Sequence, residues 1–122
     1  MKITTFEDIE GWQLGRELTR KIYEITKIGE FAKDYGLKDQ IRRASGSVMH
    51  NIAEGFDAGS NPEFIRFLGY SQRSCSEIQS QLYVALDQNY FDNNTFNDLY
   101  ELASYAKSKV GAFIKYLKQN PR

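Results

Sequence analysis

LKDQIRRASGSVMHNIAEGF, residues 37–56, is the stretch on which the reading of this chain turns. It has the composition of a helix, yet from Ala44 to Ala53 only His50 can carry a charge. A surface helix normally keeps one strongly charged face toward water, so this one is expected to be covered on more than one side. At roughly 100° per residue, Leu37, Ile41, Ala44, Val48 and Ile52 share a face and form the core stripe. Gln40, Arg43, Ser47, Asn51 and Glu54 form a second, polar stripe about a quarter-turn or more away. Arg42, Gly46, Met49 and Ala53 make a third face, small and apolar apart from the arginine. Gly46 costs about 1 kcal/mol relative to alanine in a helix interior, and close approach of another backbone would explain it.

The polar stripe admits three readings. It is a solvated face with a few caps, a network of mutually satisfied groups buried or shared between subunits, or a catalytic or ligand site. Side chains four residues apart on one helix face lie about 6 Å from each other and can link into a ladder. The low charge of the flanks favours the network.

The rest of the chain also has helical periodicity, with apolar residues at three- and four-residue steps and no sustained alternation. A first helix is predicted from Thr5 or Phe6 to about Lys27, with Leu14, Leu18, Ile22, Ile25 and Ile28 as its stripe and Gly29 as its stop. Asp34 is the expected N-cap of the second helix, which runs to about Phe56. The third opens at Asn61-Pro62-Glu63, with Asn61 as the capping residue, then proline where its missing N–H does no harm, then an acid at the positive end of the dipole. Phe64, Leu68, Ser71, Cys75, Ile78, Leu82 and Ala85 follow at the spacing of a bundle seam. The fourth spans about Thr95 to Lys118, with Leu99, Leu102, Ala106, Val110, Phe113, Ile114 and Leu117 inward. Short connections between amphipathic helices give an all-α, up-down-up-down antiparallel four-helix bundle, one domain over residues 1–122.

At 122 residues, with 16 basic and 16 acidic side chains, the chain can build a core unaided and has no net charge to drive non-specific attraction to nucleic acid or anionic lipid. Its one cysteine, Cys75, can form no disulfide within the chain and is expected to be an inert buried thiol. The opening MKITTFEDIE carries acids where a signal peptide needs an apolar run, and no stretch has the length of a membrane span, so a cytoplasmic location is expected. A single histidine excludes a multi-histidine metal site within one chain, and neither a nucleophile–base pair nor a phosphate-cradling glycine loop is present. No metal, cofactor or catalytic residue is predicted.

Basic residues give the one electrostatic lead. After Glu101 the chain has no acid, while Lys107, Lys115, Lys118 and Arg122 fall on one side of the fourth helix. Such cations also complement a helix C-terminus, so a nucleic-acid surface and a solvated helix end compete. Arg42 is a separate nucleic-acid candidate, and Arg43 is read as an interface partner of a carboxylate such as Glu54 or Glu77.

The run YGLKDQIRRASGSVMHNIAEGF resembles the signature of bacterial four-helix-bundle proteins encoded in intervening sequences of 23S rRNA genes. The likeness rests on Gln40 to Ala44 and on the Asn51-Ile52-Ala53-Glu54-Gly55 block. It continues through FEDIEGWQLGRELTRKIYEIT and through Phe67, Leu68, Ser74 and Glu77, fading in the fourth helix. The resemblance implies a homopentamer with no enzymatic activity. The accessory protein of diversity-generating retroelements is similar, a pentameric barrel that binds nucleic acid and the reverse transcriptase, but it is distinctly basic where this chain is neutral. Residues Gln40, Arg43, Gly46, Ser47, Asn51 and Glu54 are the expected oligomer interface or polar network. The function expected is that of a homo-oligomeric accessory or scaffold protein associated with RNA or DNA. The alternatives are an adaptor for another protein with no nucleic-acid role and, third, an enzyme with its site at the subunit interface.

Overall fold

The computed structural model describes residues 2–121, which places Arg122 outside the described residues. Four helices make the fold: α1 Glu10–Ile25, α2 Tyr35–Phe56, α3 Asn61–Asp87 and α4 Asn93–Gln119. Each packs on its neighbours in sequence, and α4 returns to α1, closing an antiparallel up-down-up-down bundle. The expected core stripe of α2 is inside, with Ile41, Val48 and Ile52 fully buried. Ile41 and Val48 share one cluster with Ile78 and Leu82 of α3, and Ile52 shares a second with Leu68, all fully buried; each such side chain stabilises the fold by roughly 1.5–3 kcal/mol through removal from water.

The helix ends depart from the sequence reading in places, each for a local reason. Residues near Thr5 do not start α1. The Asp8 carboxylate accepts from the Thr4 and Thr5 backbone N–H groups at 2.9 and 3.1 Å and closes a separate turn of 3-10 helix, Phe6–Asp8. Extended Ile9 then leads into Glu10. Those two bonds hold the Asp8 carboxyl below its ordinary range.

At its other end α1 stops at Ile25. The buried Thr26 hydroxyl donates to the Ile22 carbonyl at 2.7 Å and accepts from Arg42 Nε at 2.8 Å. Gly29 follows at φ +61, the left-handed region where a side chain is strained. Ile28, expected on the core stripe, is therefore 68% exposed. Phe31 takes the place beneath the end of the bundle, fully buried and stacked on Tyr90 at 5.0 Å.

The caps of α2, α3 and α4 are oxygen side chains accepting a backbone N–H two or three residues into the helix. Asp34 accepts from Leu37 N at 3.1 Å, as expected, and its second carboxylate oxygen accepts from the Tyr90 hydroxyl at 2.8 Å. Asp92 accepts from Thr95 N at 2.8 Å. The α3 cap is Ser60 rather than Asn61. Asn61 lies in the first turn, nearly buried, and its amide donates to the carbonyls of Leu117 and Asn120 at 3.3 and 3.4 Å, tying the start of α3 to the end of α4.

The bundle is narrow where α1 crosses its neighbours. A Cβ at Gly15 would sit 3.0 Å from Val48 Cγ1 and 3.4 Å from the Met49 backbone nitrogen, so α1 and α2 touch almost backbone to backbone. This close contact runs through a glycine of α1 and not through Gly46 of α2.

Candidate functional site

The polar stripe of α2 lines an open groove of about 600 Å³ that includes Arg43, Gly46, Ser47, Asn51 and Glu54. The helix is held from behind by its core stripe, so these groups face outward at fixed spacing. Gln40, exposed on the same stripe, lies beside the groove lining. Asn51 Nδ2 donates to both the backbone carbonyl and the hydroxyl of Ser47 at 2.9 Å. The Ser74 hydroxyl of α3 donates to Ser47 Oγ at 3.0 Å. Of the five stripe residues only Ser47 and Asn51 are linked in this way, and the link crosses from α2 to α3 within one chain.

The ladder has loose ends. Gln81, 8% exposed on α3, donates its amide to Glu77 Oε2 at 3.1 Å, while its Oε1 is buried with no donor among the described residues. A buried carbonyl left without a donor costs roughly 1–3 kcal/mol. Arg43 is exposed, and among the described residues neither Glu54 nor Glu77 comes within 4.0 Å of it. Around Gly46 an added Cβ would meet only His50 of its own helix, at 3.3 Å. Within the chain, then, the expected approach to Gly46 is absent, and the third face of α2 divides. Met49 packs on α1, where the Thr19 hydroxyl points to its sulfur at 3.6 Å, and Gly46 stays open.

Arg42 closes one end of the groove. Its Nε bond to Thr26 and its guanidinium 4.3 Å from the Tyr23 ring centre fasten it to α1. On α4, Lys107 is also held, its ammonium donating to Ser76 Oγ at 2.7 Å, whereas Lys115 and Lys118 are exposed. Arg122, the remaining candidate, lies outside the described residues. The lysine candidates therefore sit on a different face from Arg42.

Cys75 is fully buried, and burial pushes its thiol up to about 11, with Lys107 pulling slightly the other way. It has no thiolate character near neutral pH. Among the described residues no group of three or more His, Cys, Asp or Glu side chains could hold a metal, and no helix is long and apolar enough to cross a membrane.

Sequence reasoning missed Gln81, whose place at seven residues from Ser74 on α3 was a usable signal once Ser74 is paired with Ser47. It also missed an apolar cleft of about 590 Å³ at the end of the bundle, walled by Phe56, Phe64, Phe113 and Tyr116. These aromatics come from three helices, and no single-helix pattern reveals them.

Among solved structures, the fold is similar to a protein of unknown function from the S23 ribosomal protein family of Bacteroides thetaiotaomicron. The TM-score is 0.78 at 19% identity, covering 86% of this chain and 98% of that one. No curated protein matches the chain. The family model described as 23S rRNA-intervening sequence protein matches residues 7–112, nearly the whole bundle and all of the α2 groove. The chain belongs to the 23S rRNA-intervening sequence protein family.

Proposed function

We propose that this protein is a homo-oligomeric, non-enzymatic scaffold or accessory protein associated with nucleic acid, and that the α2 groove receives a neighbouring copy. The observation that supports this reading is the open groove itself, with Gly46 uncontacted by any other helix and Arg43 without a carboxylate among the described residues. A second helix laid along Gly46 would account for its helix-breaking cost, and a carboxylate from that copy would pair with Arg43. Of the stripe, Ser47 and Asn51 bond to each other and Ser47 to Ser74 of α3, which favours a structural role over catalysis for those two.

A closed ring built from one such patch needs a second, different patch on each copy. A pentamer is the ring size that the sequence resemblance implies. Nucleic-acid association rests on the cations of α4, whose weak individual contacts would add through effective concentration around a ring.

The test is a mass measurement by light scattering, with and without a short structured RNA at low salt. A multiple of the chain mass, and RNA affinity that falls steeply with added salt, are expected. A monomer would overturn the assembly half of the proposal, and absence of RNA or DNA binding at low salt would overturn the other.

A further inference from the structure

The α3/α4 face gathers positive charge in a way that neither helix shows alone. Three cross-links fix the register of these antiparallel helices: Asn61 to the Leu117 carbonyl, Gln72 Nε2 to the Lys107 carbonyl at 3.2 Å, and Gln79 Nε2 to Ser104 Oγ at 2.7 Å. Residues 64–76 of α3 consequently run beside residues 103–118 of α4. Neither stretch contains an Asp or a Glu. Over about 18 Å of helix length, a chain with no net charge presents two acid-free helical stretches side by side. Arg66 and Arg73 on α3, and Lys115 and Lys118 on α4, are exposed there, and Lys107 is half-buried between them.

The nearest acids mark the edges of this surface. Glu63 pairs with Arg66 at 2.7 Å, Glu77 follows Arg73 by one helical turn, and Glu10 binds Lys109 at 3.6 Å on the other flank of α4.

Two further features lie between the arginines. A Cβ built on Gly69 meets nothing within 4 Å, so no packing inside the chain requires this glycine. In mid-helix it costs about 1 kcal/mol relative to alanine, and it leaves bare backbone between Arg66 and Arg73. Next to it, the half-buried Tyr70 ring has both guanidiniums 5.8 Å from its centre, and its hydroxyl accepts from Arg66 Nη1 at 3.4 Å. An aromatic ring held between cations is the composition of a single-strand site, where bases stack and phosphates meet positive charge.

We infer that the α3/α4 face is a binding surface for single-stranded nucleic acid. The phosphate backbone runs along Arg73, Lys115 and Lys118, and a base lies against Tyr70 beside the bare backbone of Gly69. This inference rests on the proposed nucleic-acid association. It moves the centre of that association from the α4 tail to the seam between α3 and α4, and leaves Arg42 out.

The test uses a 20-nucleotide single-stranded RNA and the same sequence as a duplex, titrated against the intact protein from 50 mM salt upward. The combined variant Arg73→Gln/Lys115→Gln/Lys118→Gln should bind the single strand at least tenfold more weakly than wild type. Its slope of log affinity against log salt should be shallower by roughly two, at about 0.7 per lost phosphate contact. Tyr70→Leu should weaken single-strand binding about tenfold, within the range of one base–aromatic stack, and leave duplex binding unchanged. Arg20→Gln/Lys21→Gln on α1, combined with Lys27→Gln just beyond its end, is the charge-matched control and should bind as wild type. None of the substituted Arg73, Lys115 or Lys118 side chains hydrogen-bonds to another helix among the described residues, so circular dichroism should show unchanged helix content.

Wild-type binding with the triple variant unaffected would overturn this placement while leaving the nucleic-acid reading intact. Equal loss in the α1 control would do the same. No binding by wild type at 50 mM salt would overturn both.

Discussion

The two long faces of α2 are built from the same twenty-two residues and end in opposite states. On the inner face Ile41, Val48 and Ile52 are completely enclosed by the other helices, and nothing more can be added without strain. On the outer face Ser47 is bonded to Asn51 and Ser74, but no other helix approaches Gly46 and Arg43 has no carboxylate within 4.0 Å among the described residues. Apolar burial is non-directional and completes itself inside one chain. Exposed polar groups can be satisfied by water, so the outer face can stay open where the inner one cannot.

The sharpest way to break that contrast is to damage each face separately. Ile52→Ala removes a fully buried side chain and should cost about 2–5 kcal/mol, read as a lowered denaturation midpoint with the unfolding slope unchanged. A smaller loss would mean that the bundle collapses around the cavity.

Next come the two glycines. Gly15→Leu forces atoms into Val48 and Met49 and should destabilise the bundle by about 1–3 kcal/mol or more. Gly46→Leu should leave helix content intact, raise intrinsic helix preference slightly, and reduce the mass seen by light scattering. If Gly46→Leu instead unfolds the chain, the groove is part of the fold and the contrast fails.

Gln81→Leu replaces a buried amide whose carbonyl has no donor, and its stability should stay within about 1 kcal/mol of wild type because no satisfied carbonyl bond is lost. A large loss would show that the Gln81–Glu77 bond holds α3 in place.

The smallest effect is that of acid. Backbone N–H donation holds Asp92 below the ordinary carboxylate range, as it does Asp8. Their folded-state values lie under the unfolded value of about 3.9. Their stabilisation is therefore fully present above that value and is lost as pH falls through the folded-state values. Thermal melts should show a shallow decline below about pH 4, reduced in Asp92→Asn, which keeps a neutral cap.

How far the sequence could be read depended on the range of the interaction. The second helix, its Asp34 cap and its core stripe came directly from neighbouring residues. Ile28 misled because its spacing fits the α1 stripe, but the Thr26 hydroxyl and Gly29 end the helix first. Asn61 has the chemistry of a cap, yet its amide goes to α4, a partner 56 residues away for Leu117. Within the polar stripe the membership of Ser47 and Asn51 was legible, whereas Ser74 and Gln81 required the pairing of α2 with α3. Arg42 looked like a free cation until α1 was placed beside it, with Tyr23 and Thr26 in contact.

By itself the sequence determined the number and order of the helices, most of the inward face of each, and a second helix poor in charge from Ala44 to Ala53. Those properties follow from periodicity and composition, which are local. Only the tertiary structure decided that Gly15 makes a close contact between α1 and α2 while no other helix approaches Gly46, that Lys107 is held while Lys115 and Lys118 are exposed, and that two acid-free stretches lie side by side. The reason is register: an offset of one turn between antiparallel helices changes every such pairing, and that offset is set by side chains dozens of residues apart.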